Sequence, residues 1–307
     1  MIYTVTLNPS IDYVIYPGQE ITPGQINRFE KSHMYPGGKG INVSRILHEL
    51  GIPSTATGFV GGFTGQFIVD SLEKDGISTA FAYVNDNTRI NVKVKGQQET
   101  EINGAGSFIS EEDATHFLAR FDEMTAEDIV ILSGSKARNL PGNYYQQIIS
   151  HLTDKGIPFV IDTTGTELND ALSSRPLVIK PNKEELEDLY QVKLDTIEAL
   201  IAYGKKMLSE GPQHVLISMA GDGALLLTNQ AVYKGSVPKG EVKNSVGAGD
   251  SMVAGFVGQY SLTQDPLDAF KMGLACGSAT AFSDDLANKE TIDKVYQTVK
   301  IEQLEGK

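Results

Sequence analysis

Ile41-Asn42-Val43-Ser44-Arg45-Ile46-Leu47-His48-Glu49-Leu50, then Thr55-Ala56-Thr57-Gly58-Phe59-Val60, then residues 66–74 decide the fold class. In the first segment Val43, Ile46, Leu47 and Leu50 share one face at helical spacing. The second is a short apolar run of strand length, and the third returns to a helical pattern. The same alternation continues outward in both directions. Strands are expected at residues 2–7, 128–132, 159–162, 177–179, 215–218 and 224–227, a helix at 144–153, and a mainly helical C-terminal third. Ser110-Glu111-Glu112-Asp113 supplies an N-cap and an acidic first turn, and Ala114, Phe117, Leu118 and Phe121 follow as one apolar stripe. This rhythm predicts an α/β fold with a mostly parallel central sheet flanked by helices.

Two stretches break the rhythm. Residues 11–33 and 88–103 read as strands without the helices that a parallel crossover requires. In the second, Ile90, Val92 and Val94 alternate with Asn91 and Lys93, and Gly96-Gln97-Gln98 turns the chain into an antiparallel hairpin. Two such pieces predict a small second sheet standing off the main one. No internal repeat or low-complexity segment is present.

The bulk numbers narrow the function classes. Hydrophobic residues make up 40% of the 307, enough for a sizeable core. A formal net charge of -13 argues against nucleic acid and anionic membranes as partners, since both call for a basic face. A small anionic substrate remains compatible, because a pocket can focus a few cations. The lone Cys276, in an apolar small-residue context, allows no intrachain disulfide and reads as a packed helix residue. The N-terminus lacks a basic region and no apolar run approaches the ~20 residues that span a bilayer, so a cytoplasmic protein is expected.

Chemistry concentrates in three segments. Asn244-Ser245-Val246-Gly247-Ala248-Gly249-Asp250-Ser251 precedes an apolar helix. Small residues at 247–249 admit a ligand close to the backbone, and the helix start offers free N–H groups to an anion. Asp250 is there either a general base or an acid that stabilises the first turn. The segment is not a dinucleotide fingerprint, because Met252 stands where the third glycine would be. Pro36-Gly37-Gly38-Lys39-Gly40-Ile41-Asn42 lacks Walker spacing, and Gly40 follows the lysine where Ser or Thr is required. Its glycines admit a sugar ring against bare backbone, with Asn42 able to donate and accept; the alternative is a tight turn with a solvated lysine. Lys180-Pro181-Asn182-Lys183-Glu184-Glu185 has the spacing of a capping box, with Asn182 and Glu185 also suited to orienting waters around Mg²⁺.

Four motifs occur together: Asn8-Pro9-Ser10-x-Asp12, Pro36-Gly37-Gly38-Lys39-Gly40-Ile41-Asn42-Val43, Lys180-Pro181-Asn182-x-x-Glu185-Leu186 and Val246-Gly247-Ala248-Gly249-Asp250-Ser251. In this order and spacing they resemble the phosphofructokinase B family of ribokinase-like sugar kinases, across essentially the whole chain. The resemblance implies a single three-layer ribokinase-like kinase domain over residues 1–307, with a small β-sheet lid from about 11–35 and 88–104. It implies ATP and Mg²⁺ as cofactors, a phosphosugar as substrate, and a homodimer through the lid. Thr88-Arg89-Ile90-Asn91-Val92-Lys93 and Glu99-Thr100-Glu101-Ile102-Asn103 are similar to the bacterial subgroup that phosphorylates O6 of D-fructose 1-phosphate. So are Gly58-Phe59-Val60-Gly61-Gly62-Phe63 and Ala279-Thr280-Ala281-Phe282-Ser283. The alternative is a tagatose-6-phosphate kinase, which shares the four motifs.

By the same resemblance Asp250 is the catalytic base and Gly247, Ala248 and Gly249 form the anion hole. Asp12, Gly37, Gly38, Lys39, Asn42 and Ser135 bind the sugar. Arg89, with Arg28 reaching across from a partner's lid, clamps its phosphate. Lys180, Asn182, Ser218, Gly221, Gly223, Gly249 and Ser278 lie on the nucleotide side, and Asn182, Glu185 and Asp162 serve the metal through water. The chain departs from the family twice. Lys136-Ala137-Arg138 follows Ser135 in place of an apolar-Pro pair, with both cations expected in solvent. Ala220 stands where glycine is usual, which a negative φ would accommodate.

Overall fold

The computed structural model describes residues 1–96, 98–238 and 240–306. Gln97, in the expected hairpin turn, lies outside them. The strands in chain order are β1 (Ile2–Thr6), β2 (Ser10–Pro17), β3 (Phe29–Gly37), β4 (Ser54–Gly61), β5 (Ser78–Val84), β6 (Arg89–Lys95), β7 (Glu99–Asn103), β8 (Ile129–Ser133), β9 (Phe159–Asp162), β10 (Val215–Ser218), β11 (Ala224–Leu227), β12 (Ala231–Ser236) and β13 (Lys300–Gly306). The helices are α1 (Lys39–Glu49), α2 (Gly62–Lys74), α3 (Glu111–Ala119), α4 (Tyr144–Asp154), α5 (Thr166–Ala171), α6 (Lys183–Tyr190), α7 (Ile197–Ser209), α8 (Ala248–Thr263), α9 (Pro266–Ala281) and α10 (Lys289–Tyr296).

The main sheet runs β5-β4-β1-β8-β9, all parallel. Residues 177–179, expected as a strand, contribute only single bridges from Ile179 to Ile161 and to Val215. Those bridges join the parallel part to the antiparallel run β10-β11-β12-β13. Pro181, two residues on, removes a ladder donor and confines the segment to a bridge.

Alternate strand residues feed two opposite cores, which makes three layers. Val130, Leu132, Val215 and Ile217 pack with Phe117, Tyr144, Ile148 and Leu200 on one face. Ile131, Leu216 and Leu226 pack with Val43, Ile46, Leu47, Phe256, Phe270 and Leu274 on the other. The α8 helix is buried from Asp250 to Gly258 and crosses close to α9: a Cβ at Gly255 would lie 2.8 Å from Cys276 Sγ. Cys276 is fully buried there and burial pushes its thiol up.

The second sheet has the order β3-β2-β6-β7. The expected hairpin is present, with Val92 opposite Ile102 and Lys93 opposite Glu101. One expectation changes. β2 and β6 pair in parallel, the crossover between them being the whole α1-β4-α2-β5 passage of the main domain. The polar face of β6 is also the inner one: Asn91 and Lys93 are buried, whereas Ile90 and Ile102 are exposed. Among the described residues no helix is long and apolar enough to cross a membrane.

Candidate active site

Parallel strands deliver their loops to one edge, and two of the four motifs, those at Asn8 and Lys180, emerge there. β1 leads into Asn8, β8 into Gly134 and Ser135, β9 ends on Asp162, Ile179 precedes Lys180, and β10 ends on Ser218. From the opposite side α8 starts at Ala248 behind Gly247, whose φ of 79° is in the left-handed region. Glycine is required there, and a Cβ would also strike Leu286 Cδ2 at 2.6 Å.

Asp250 occupies the first turn of α8 and is buried. Asn42 Nδ2 donates to its Oδ2 at 2.8 Å. Burial, then the charge of Asp162, pushes the Asp250 carboxyl up to about 6, against Lys39, Asn42 and Lys180, which oppose the rise. The N–H groups of Gly247 and Gly249 have no protein acceptor among the described residues, whereas that of Ala248 turns to the Ser245 carbonyl at 3.3 Å. Of the three N–H groups expected to line an anion hole, the middle one is therefore occupied within the chain. Lys180 brings a cation beside this turn: a Cβ on Gly249 would stand 3.0 Å from Lys180 Nζ.

Asp162 is the hub between the 37–42 and 180–185 segments. Lys39 Nζ donates to its Oδ2 at 2.9 Å, and Lys180 Nζ lies 3.5 Å from Oδ1. Burial alone would raise this carboxyl, but Lys180 and Lys39 outweigh it and hold it below the ordinary carboxylate range. Burial likewise acts to lower Lys39, and the charges of Asp162 and Asp250 reverse the shift upward. Asn182 and Glu185 form the capping box, each side chain accepting the other's backbone N–H at 2.7 and 2.9 Å. Glu185 Oε1 stays free of these bonds, and its charge reaches Lys39.

The glycines of the Gly37-Gly38 segment have a different cause from the expected bare platform. A Cβ on Gly37 would meet the Asp12 carboxyl at 2.6 Å, and one on Gly38 would meet Thr6 Cγ2 at 2.7 Å. The chain's own packing fills the space where side chains would go.

Arg89 is committed to backbone. Its guanidinium donates to the carbonyls of Asn8 (2.9 Å), Gly104 (3.1 Å) and Pro9 (3.4 Å), clasping the lid to the loop after β1. Arg28 lies exposed at the far end of the β2–β3 ladder, where Pro17 meets Phe29, away from the Ser10–Gly37 end that joins the site. Ser135 lies at the edge of hydrogen-bond range of Asn8 Nδ2, at 3.5 Å. Lys136, expected in solvent, pairs with Glu167, and Glu167 also accepts from Thr163 Oγ1 at 3.0 Å. Arg138 is exposed as expected.

Of the residues expected beside a nucleotide, Ser218 bridges Asn182, Gly221 faces open space, Gly223 approaches the Gly235 carbonyl too closely for any Cβ, and Ser278 is half-buried on α9. Ala220 has φ 48°, not the negative value that would accommodate it. Its methyl is held in the left-handed region at a cost of about 1 kcal/mol. Ala220→Gly is therefore expected to leave stability unchanged or raise it by up to about 0.5 kcal/mol, because the entropy of glycine, about 0.5–1 kcal/mol, offsets most of the relieved strain. A clear loss of stability, above about 0.5 kcal/mol in denaturant unfolding, would contradict the strain.

Several site residues had no reading in the sequence. A cleft between the second sheet and the main domain is lined by Asp12, Asn42, Arg45, Lys93, Lys95, Tyr35 and Asp285, among others. Arg45 pairs with Asp285 at 2.5 Å and so holds the loop that presses Leu286 against Gly247. A usable signal was the one-turn spacing of Arg45 from Asn42, which puts both on the same face of α1.

The family model for pfkB family carbohydrate kinases matches residues 5–292. The chain belongs to this family. It is 46% identical over 304 residues to the 1-phosphofructokinase of Bacillus subtilis (strain 168), covering 99% of this chain and all of that one. The D-tagatose-1-phosphate kinase of Bacillus licheniformis is 35% identical, covering 99% of this chain and all of the relative. Among solved structures, phosphofructokinase-2 from Escherichia coli in complex with substrates and products superposes with a TM-score of 0.92 at 27% identity, over 97% of this chain and 98% of that one. As a family member this chain is a carbohydrate kinase, a phosphotransferase with the ribokinase-like fold expected from its motifs.

Proposed function

We propose that the chain transfers the terminal phosphoryl group of ATP to O6 of D-fructose 1-phosphate, giving ADP and fructose 1,6-bisphosphate. The observation that carries this reading is a buried, proton-avid Asp250 placed in the helix turn whose Gly247 and Gly249 N–H groups have no acceptor among the described residues. O6 attacks the γ-phosphorus, its proton passes to Asp250, and the bond from that phosphorus to the β–γ bridging oxygen breaks to release ADP. Backbone N–H groups and Lys180 meet the charge on the equatorial oxygens.

The donor set also accommodates Mg²⁺ as a hydrated ion. Among the described residues no cluster of three or more metal-ligating side chains exists, and Asp162 is held by two lysines. Glu185 Oε1 and Asn182 remain to hold waters of such an ion, which supplies charge neutralisation on the nucleotide phosphates. Lys180, Asn182, Ser218, Gly221, Gly223 and Ser278 flank the nucleotide in this reading, and Asp12, Lys39, Asn42 and Ser135 the sugar.

Residues 1–307 act in this reading as one kinase domain, with the second sheet as its lid. Exposed Met34, Ile90 and Ile102 share the lid's outer face by register, with Phe29 packed against Tyr13 at its end. This apolar face supports a homodimer formed lid to lid, the arrangement that would bring Arg28 to a partner's site.

The 35% relative brings in a second substrate, tagatose 1-phosphate. That sugar carries its phosphate at C1, like fructose 1-phosphate, and differs only in the configuration at C4. Tagatose 6-phosphate, the alternative from sequence, places its phosphate at the other end. Purified protein assayed for ADP release with all three sugars and fructose 6-phosphate separates them. The expected result is a kcat/KM for fructose 1-phosphate at least about tenfold above the others. A preference for either 6-phosphate would overturn the reading.

A further inference from the structure

Lys93 is an ammonium buried inside the lid, with a relative exposure of 8%. It lines the cleft with Lys95, on the face of β6 that it shares by alternation with Arg89 and Asn91. Its stem lies level with Val14 on β2 and Glu101 on β7, and its Nζ reaches Asp12 Oδ2 at 3.3 Å and Glu101 at 3.6 Å. The other oxygen of Asp12 accepts from Ser10 Oγ at 2.8 Å and Asn91 Nδ2 at 3.2 Å. Asn91 in turn donates to Ser10 Oγ at 3.1 Å and accepts from the Gly104 N–H at 3.2 Å.

We infer that Lys93 is a positioning residue for the sugar: it fixes the Asp12 carboxylate toward the cleft and ties it, through Glu101, to the outer strand of the lid. Three features carry the inference. A buried charge is costly and a threonine or valine would serve a sheet interior as well, so Lys93 is not explained by strand pairing. Its partner is the one lid carboxylate that shares the cleft with Asn42, which holds Asp250. Finally, Gly37 leaves the space in which the Asp12 carboxyl sits, 2.6 Å from the Cβ position of that glycine. The lid thus holds Asp12 from two sides, by Lys93 and by Ser10 with Asn91, and the motif glycine leaves room for it.

This rests on the proposed kinase reading, and the test separates the two. Lys93→Met, Lys93→Gln and Lys93→Arg are compared with the unaltered protein in steady-state kinetics and in calorimetric binding of fructose 1-phosphate without nucleotide. Loss of the charge-assisted contact is expected to raise KM and Kd for fructose 1-phosphate about tenfold or more in the Met and Gln variants. KM for ATP should move far less, and kcat less than KM. Arginine, which restores the charge, should recover most of the binding. Adding Lys93→Met to Asp12→Asn should cost little more than Asp12→Asn alone, because the two act as one unit. Unchanged sugar binding in both neutral variants, or an equal rise in both substrates' KM, overturns the inference. An unaltered protein that binds the sugar but releases no ADP refutes the kinase reading while the Kd comparison still decides the role of Lys93.

Discussion

Asp250→Asn is expected to fold, to bind ATP and to lose turnover by three or more orders of magnitude, since both base and positioned charge disappear. Asparagine retains an oxygen to accept from Asn42, so the local geometry has no reason to collapse. With the carboxyl pushed up to about 6, kcat/KM should fall below that pH in the unaltered protein, as the base becomes protonated. The same shift has a stability consequence. An unfolded Asp titrates near its ordinary value, so between there and about 6 the folded state holds a proton that the unfolded state has released. Raising pH through this window therefore weakens the fold, and the cost persists above it. Asp250→Asn removes that cost and should gain on the order of 2 kcal/mol at pH 7, read as a higher denaturant midpoint. Activity within tenfold of the unaltered protein would refute the assigned base. A midpoint that drops at pH 7 would show that Asp250 stabilises the fold instead.

In the main sheet β4, β1, β8 and β9 were legible because they are short apolar runs between amphipathic helices, whereas β5 had no reading; the ends of β9, β10 and β11 fall where the residues place them. The antiparallel continuation was less so. β12 and β13 carry Tyr233, Lys234, Glu302, Gln303 and Glu305, and their pairing depends on partners far along the chain. Capping chemistry was readable at Ser110 and at Asn182 with Glu185, because those bonds span three residues. The network around Asp12 was not: Ser10, Asn91 and Lys93 converge only through the parallel β2–β6 pairing, and local alternation does not say which face of β6 is inner. Arg45 with Asp285 is likewise a contact between distant segments. Ala220 shows the limit of composition. A methyl signals nothing until its φ is known, and at 48° it marks a strained turn.

Asp162→Asn tests whether the two lysines and the two buried carboxyls form one electrostatic unit. The substitution keeps an oxygen for Lys39 but leaves Lys39 and Lys180 without their shared counter-charge. Breaking a buried pair in this way is expected to destabilise the protein by about 3 kcal/mol at pH 7. Because the Asp162 carboxyl sits below the ordinary range when folded, its contribution is complete above that range and is lost as pH falls through the folded value. The gap between unaltered protein and Asp162→Asn should accordingly close on strong acidification, the opposite trend to Asp250. Asp162 is also the second cause of the raised Asp250 carboxyl, after burial. Its neutralisation should move the acid limb of kcat/KM downward while lowering the plateau, since Lys39 and Lys180 are no longer held between the sugar and nucleotide loops. A limb that stays at about 6 would mean that burial alone sets the base, and that Asp162 serves only to anchor the lysines.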